Sequence, residues 1–514
     1  MNIADQFILA LDLGTTAIKA GLFSLEGDLL KVETRPQQLI FKRDGFVEQS
    51  PYETWELAVN AVHALITGHK PQDIICISLS LQRGTVVPIR KNGDPATNLI
   101  VWMDKRGMPY VEEIVKAVGE ERYYLISGHP ITYINGAGKL LWLQQDTNPV
   151  WHDVEVVGPP ETLFLEWLGC EDFVCSQSTG TYLFPTEIER KIWSVELARA
   201  IGFPIDKLPR QVSSVKVIGE LGRRAAQEFG LKEGTPIVPG GGDGQCAAAG
   251  CGVLRPGLGL INIGTGAGVQ TYLPHPVRDP KMVLNCAAHV EPSGWEMEGH
   301  TQASGAVFKW FRDEFGASEV ALQEKSRLDA FDLLIQEAVV TPEGAEGLLC
   351  LPTFNGSTAP VIDQNSRGVL IGLNLSHTRN HVIRAFLEGI SMEIRWMLDA
   401  IEATGADIDE IRLAGGGARN KHWNQIHANI LGRPVSTLEV TDAALVGAAM
   451  CAGVGVGAYA SLKEAAENFV KLKEIVEPQE EFTQTYGELY ETYKRTFLLL
   501  SENRVFEKLR GKSL

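Results

Sequence analysis

The chain has 514 residues and a formal charge of −17, with a pI near 5.2. That length implies roughly two to four domains. The acidic balance excludes a general nucleic-acid binder but not a phosphate ligand, which backbone amides and a few local charges can hold. Eight cysteines without a CxxC pair or metal-like His/Cys spacing fit a reducing, cytoplasmic setting. Residues 1–6 are polar and 7–11 too short for a signal-peptide core. The apolar run 443–460 is built from Ala, Gly and Val, with Thr441 and Asp442 before it as a helix cap. It reads as an interior helix and not a membrane span.

In chain order, residues 7–11 make a buried strand, Asp12-Leu13-Gly14-Thr15-Thr16 a turn, 17–23 a second strand and 29–33 a third. This meander is not the strand–loop–helix of a dinucleotide fold or P-loop, and no GxxxxGK[ST] occurs. The turn offers amides and hydroxyls to a phosphate, with Asp12 available for a cation. Read alone, it is an ordinary Gly- and Thr-rich hairpin turn.

Residues 55–65 form a helix, and 74–79 a strand ending at Gln82-Arg83-Gly84. A further strand over 99–103, carrying Trp102, ends at Asp104-Lys105-Arg106. Polar residues at strand ends are where open α/β sheets place ligands, although a loop charge in solvent is the commoner case. Lys139-Leu140-Leu141-Trp142 begins an amphipathic helix. Residues 150–235 read as further α/β packing with no legible constellation.

Residues 238–245 read Val-Pro-Gly-Gly-Gly-Asp-Gly-Gln, followed by a small-residue helix to about Gly252. The glycines permit unusual backbone angles and a ligand's close approach. Asp243 alone would be read as the cap of that helix. Residues 261–266, Ile-Asn-Ile-Gly-Thr-Gly, then repeat the first turn at an offset of 250 (262 minus 12), with a strand over 268–272. Repetition at half the chain length suggests two lobes of like topology, each with one phosphate-sized turn, clamping a polyphosphate between them.

Further on, 368–373 is a strand and 381–401 a helix. Its stripe of Val382, Ile383, Phe386, Leu387, Ile390, Ile394, Met397 and Leu398 is core. A strand over 411–414 runs into Gly415-Gly416-Gly417-Ala418-Arg419-Asn420 and a helix to Leu431. Three glycines there let a flat ring lie against backbone. Phe482, Tyr486, Tyr490, Tyr493 and Phe497 at helical spacing mark a packing helix.

These pieces, in this order from Phe7 to about Gly457, resemble the FGGY carbohydrate kinases of the actin, Hsp70 and hexokinase fold group. The resemblance implies an α/β fold of two RNase H-like lobes with an ATP and sugar cleft between them. The lobes would be residues 1–246 and 247–514. Asp12 to Thr16 looks like the first phosphate motif, with Asp12, Gly14, Thr15 and Thr16 on nucleotide and Asp12 on Mg²⁺. Gly264, Thr265 and Gly266 look like the second. Gly415, Gly416, Gly417 and Asn420 look like the adenosine motif. Asp243 sits where the family keeps its catalytic base, and Gln82, Arg83, Trp102, Asp104, Asp243 and Gln245 would face the sugar. The segment 368–388 looks like a family signature.

Two segments depart from the family. Ile134 and Gly136 are unusual before Lys139, and no acidic residue stands just before Ser176. Both changes lie on the sugar side.

The implied activity is ATP- and Mg²⁺-dependent phosphorylation of a small sugar or polyol. Gln82-Arg83-Gly84 lacks the glutamate of glycerol kinases, which would open space. Trp102-Met103-Asp104-Lys105-Arg106 resembles the xylulokinase pattern. The expected acceptor is D-xylulose at its 5-hydroxyl, with glycerol, erythritol and ribulose as alternatives. Partners are sugar and ATP, with neither nucleic acid nor membrane, and a homodimer is allowed. The rivals from other classes are an actin- or Hsp70-like ATP switch and a silent sugar sensor. The sugar-side residues disfavour the first and Asp243 the second.

Overall fold

The computed structural model describes residues 6–145, 147–326 and 328–509. The chain divides into two compact units. One takes the chain through Arg255 with Tyr272–Met297 and Asp442–Lys471; the other takes Pro256–Thr271, Glu298–Thr441 and the chain from Leu472.

In the first unit, the run Phe-Ile-Leu-Ala-Leu is apolar at every position, and such a strand needs cover on both faces. It forms the strand Phe7–Leu13 in the middle of a six-stranded sheet. Ala17–Ser24 pairs antiparallel on one side, with Leu29–Pro36 beyond it. Ile74–Leu81 pairs parallel on the other side, then Pro236–Gly242, also parallel. The helix Pro51–Leu65 begins where Ser50 accepts from the Glu53 amide, with Pro51 at its first position.

The helix Ala443–Gly455 belongs to this unit and not to the half of the chain in which its sequence lies. A single cut near residue 246 therefore does not describe the compact units. The reason is close packing between two small-residue helices. A Cβ on Gly447 would lie 1.9 Å from the Cys246 carbonyl oxygen, and one on Gly250 would lie 2.0 Å from that of Ala443. Ala443–Gly455 also packs on the strands Phe7–Leu13 and Ile74–Leu81. The interior-helix reading of this run holds. No described helix is long and apolar enough to cross a membrane. Asp442 makes no side-chain cap there; its carboxylate instead takes Lys19 Nζ at 2.5 Å.

In the second unit, Gly257–Ile263 pairs antiparallel with Ala267–Leu273 and parallel with Ile408–Ala414. Val435–Leu438 and Leu472–Val476 extend the sheet. The repeat read from sequence is therefore a repeat of topology. Asp12 stands opposite Lys19 and Ser80, as Asn262 stands opposite Gly268 and Ala414. The helix Arg379–Glu402 buries the expected stripe from Ile383 onward. The helix Thr483–Glu502 buries Tyr486, Tyr490, Tyr493 and Phe497.

Some boundaries differ from the sequence reading. The strand expected over 99–103 stops at Leu99–Ile100, because the chain turns there to bury Asp104. The strand within 368–373 is only Val369–Ile371.

Candidate active site

Asp243 opens the helix Asp243–Gly250, immediately after the strand Pro236–Gly242. It is the first helical residue; Gly242 is the N-cap, and no side chain caps it. Asp243 is therefore not the N-cap itself, although its carboxylate takes one of the free amides of the first turn. Its side chain is 44% exposed. Oδ1 accepts from its neighbour Gly244 N at 2.7 Å and from Arg83 Nε at 3.0 Å.

Arg83 is held from two further sides. Its guanidinium lies over the Tyr182 ring at 4.4 Å, and Nη1 is 3.7 Å from the wholly buried Glu296 carboxylate. The neighbouring glycines serve protein packing. A Cβ on Gly241 would lie 2.3 Å from Ser178 Oγ, and one on Gly242 would lie 2.6 Å from Arg83 Cδ. Gln245 is fully buried, and its amide nitrogen makes a long 3.5 Å donation to the Ser178 carbonyl.

The first Gly-Thr turn and the acceptor side form one hydrogen-bonded unit. Thr15 Oγ1 donates to Gln82 Oε1 at 2.9 Å and accepts from Trp102 Nε1 at 3.1 Å. Gln82 Nε2 donates to Gln49 Oε1, and Gln49 Nε2 to the Thr15 carbonyl, both at 2.6 Å. Gly14 N closes the turn on the Ala17 carbonyl at 3.2 Å, and Thr16 is exposed. Gln82 and Trp102 thus shape the turn through Thr15.

Asp104 is placed differently from expectation. It is wholly buried, and both oxygens are occupied by protein. Oδ1 accepts from Arg106 N and Nε at 2.8 Å each; Oδ2 accepts from Val47 N at 2.6 Å and Arg106 Nη2 at 2.9 Å. In this arrangement it anchors a loop and does not present its carboxylate to a ligand.

Gly84 adopts φ +70°, and a Cβ there would lie 2.5 Å from the Ile134 carbonyl oxygen. The absence of a side chain at 84 does not open room for a longer acceptor. Backbone of the 134 loop fills that space.

Asp12 accepts from Ser80 Oγ at 2.8 Å. Burial, reinforced by the charges of Asp243 and Asp442, raises its pKa to about 6 against the pull of Ser80 and Lys19. Among the described residues no cluster of three His, Cys, Asp or Glu could hold a metal. A single desolvated carboxylate beside a phosphate-sized turn fits Mg²⁺, which keeps its waters and binds through one or two carboxylates plus phosphate oxygens.

In the second unit, the turn at Gly264–Gly266 closes with Gly264 N donating to the Gly266 carbonyl at 2.8 Å. The start of the helix Gly305–Phe315 braces it from below. Gly305 N donates to the Gly264 carbonyl at 3.0 Å, and Ser304 N and Ala306 N to that of Thr265 at 2.9 Å. Gly264 and Thr265 are left exposed.

After the strand Ile408–Ala414 come Gly415, at φ +80°, and a short turn over Gly416–Arg419. Asn420 caps the helix Lys421–Leu431, accepting from the amides of His422 and Trp423, and its amide nitrogen donates to Asp332 at 2.6 Å. A cavity of about 670 Å³ lies beside this motif, lined by Asp332, Ala418, Asn420 and Asn424 among others. Asn424 is almost fully buried; its Nδ2 holds the Ala418 carbonyl at 2.9 Å, while its Oδ1 finds no partner among the described residues.

Several residues of this site were not legible from sequence: Gln49, Glu161, Ser178, Tyr182 and Glu296. Each lies far along the chain from the motif it touches, within a segment whose pattern is ordinary packing. A buried carboxylate does lie against Ser176. Glu161 accepts from Ser176 N at 2.7 Å and from the Thr179 hydroxyl. Burial lifts its pKa to about 7 against those donors.

Residues 7–250 match the N-terminal domain of the FGGY family of carbohydrate kinases, and 259–456 its C-terminal domain. A xylulose kinase of Bacillus subtilis is 29% identical over 96% of this chain and 97% of its own length. A gluconokinase of the same organism is 27% identical over 89% and 88%. The ligand-bound xylulose kinase of Lactobacillus acidophilus superposes with a TM-score of 0.88 at 22% identity, covering 96% of this chain and 98% of that one. At that identity the superposition speaks for the fold alone.

Proposed function

We propose that this chain, which belongs to the FGGY family of carbohydrate kinases and is a sugar kinase, phosphorylates a neutral ketose, D-xylulose, at its terminal 5-hydroxyl. The observation that carries a neutral acceptor is the state of the cations on the acceptor side. Arg83 is paired with Asp243 and Glu296, and Arg106 with Asp104 and Glu48. Lys139 is enclosed by carbonyl oxygens. An aldonate would bring its own carboxylate, and a desolvated carboxylate needs a cation not already spent on protein. A ketose needs only donors and acceptors. The similarity to xylulose kinases supports the same reading.

In this mechanism the acceptor oxygen attacks the γ-phosphorus of ATP, its proton passes to Asp243, and ADP leaves. A sugar hydroxyl is a weak nucleophile, and a positioned base typically contributes about 10²–10⁴ in rate. Arg83 orients the Asp243 carboxylate and fixes which oxygen faces outward. Thr15, Thr16, Gly264 and Thr265 supply donors to phosphate oxygens, since positioning and charge neutralisation dominate phosphoryl transfer. Asp243, Asp12 and the first turn are positioned by one sheet; Gly264, Thr265 and the adenosine motif by the other. Mg²⁺, held through Asp12 and water, would neutralise phosphate charge.

The test is kcat/KM for D-xylulose, L-ribulose, D-gluconate, glycerol and erythritol in a coupled ADP-release assay. D-Xylulose is expected to lead. Gluconate preferred over every ketose would replace the neutral acceptor with an anionic one and leave sugar kinase activity standing. Glycerol or erythritol in the lead would overturn the ketopentose.

A further inference from the structure

A buried ammonium joins the segments that form the acceptor side. Lys139, on the helix Gly136–Leu143, is completely enclosed. Its Nζ lies 3.1 Å from the Gly84 carbonyl, 3.1 Å from that of Trp102, 2.9 Å from Tyr133, 2.8 Å from Ile134 and 3.5 Å from Asn135. Three protons serve five oxygens drawn from three separate stretches of chain. None of those oxygens is a carboxylate, so Lys139 is not half of an ordinary ion pair.

The three stretches carry the residues that shape the site. Gly84 follows Gln82 and Arg83. The Trp102 carbonyl belongs to the residue whose indole donates to Thr15. Residues 133–135 pack directly on Gly84, where the Ile134 carbonyl and Trp102 Cβ stand 2.5 and 3.4 Å from a Cβ built on Gly84. Five carbonyl dipoles aimed at one point would repel one another without a cation between them. The helix is seated closely enough to deliver that cation: a Cβ on Gly138 would lie 2.5 Å from the Gly107 carbonyl oxygen.

We infer that Lys139 is a positioning residue for the acceptor, whose ammonium sets the spacing between the Arg83 and Trp102 arms and through it the affinity for sugar. Its Nζ bonds neither the base nor Thr15 of the first phosphate turn. Its loss should therefore separate the two substrates. This inference rests on the kinase reading above and assigns a residue which that reading leaves without a role.

The experiment compares Lys139→Ala, Lys139→Gln and wild type at saturating ATP with the acceptor varied, and then the reverse. Lys139→Ala is also assayed with added propylammonium. The expected result for Lys139→Ala is an acceptor KM raised at least about tenfold with the ATP KM within about twofold, since a site loosened by an ångström loses acceptor binding first. Propylammonium should recover part of that loss, and Lys139→Gln, keeping two donor protons, should fall between. Equal changes in both KM values, or a folded Lys139→Ala with wild-type acceptor KM, would overturn the inference. Failure of both variants to fold would also overturn it, making Lys139 a folding residue. A wild-type chain that phosphorylates no acceptor overturns this inference and the kinase reading together; an active wild type with either negative result overturns only the inference.

Discussion

Arg83 Nε and Asp243 Oδ1 stand 3.0 Å apart, although 160 residues separate them in the chain. The arginine occupies one carboxylate oxygen, and no hydrogen bond reaches the other among the described residues. An exposed carboxylate held in this way is oriented as a base must be. Asp243→Asn keeps the size and one acceptor but cannot take a proton. It should lower turnover at least about a hundredfold, with nucleotide affinity measured by calorimetry nearly unchanged. Wild-type turnover would remove the base.

Gly416 and Gly417 separate two explanations of the glycine run. A Cβ on Gly417 would meet the Ile263 side chain at 2.6 Å, whereas one on Gly416 meets nothing within 4 Å. Gly417→Val should therefore cost about 1–3 kcal/mol of stability through overpacking, read as a lower melting temperature. Gly416→Val should raise the ATP KM with little change in melting. A Gly416→Val enzyme with wild-type ATP KM would place the adenine elsewhere.

Gly84→Glu tests the fit of the acceptor loops. Sequence comparison suggests that a glutamate here would confer glycerol activity. The structure instead requires φ +70° at this residue with the Ile134 carbonyl in the way. The left-handed backbone alone costs roughly 1–2 kcal/mol for a side-chain-bearing residue. The variant should melt lower and gain no glycerol turnover; a rise in glycerol kcat/KM would refute this packing argument.

Glu393 should make stability depend on pH. It lies wholly buried in the helix Arg379–Glu402, and burial raises its pKa from 4.5 to about 8. Between those values the folded chain holds a proton that the unfolded chain has lost. Its contribution is therefore present below about pH 4.5 and lost as pH rises toward 8. Asp12 acts with the same sign up to about pH 6, and Glu161 up to about 7. Glu393→Gln should flatten the fall in melting temperature from pH 5 to pH 9. An unchanged slope would mean that Glu393 ionises as freely folded as unfolded.

Much of this protein was legible in the sequence because the signals are local. The run Phe-Ile-Leu-Ala-Leu reads as a buried strand, the two Gly-Thr turns as matching positions in two sheets, and the tyrosines of Thr483–Glu502 as one helix face. Each depends on residues a few positions apart, where backbone preference and apolar periodicity suffice. The motif carrying Asp243 was legible for the same reason.

Tertiary structure decided what each side chain is spent on. Asp104 reads as a site residue from its place at a strand end, yet Val47 and Arg106 use both of its oxygens. Gly84 reads as open space, yet the Ile134 backbone fills it. Glu161 supplies a carboxylate to Ser176 from 15 residues away. The helix Ala443–Gly455 packs with the opposite half of the chain, where Gly447 lets the backbones meet at Cys246. In each case the deciding partner arrives through space from a segment that carries no signal of its own. A hydrogen bond or a van der Waals contact is settled over less than 4 Å, a distance that sequence separation does not encode.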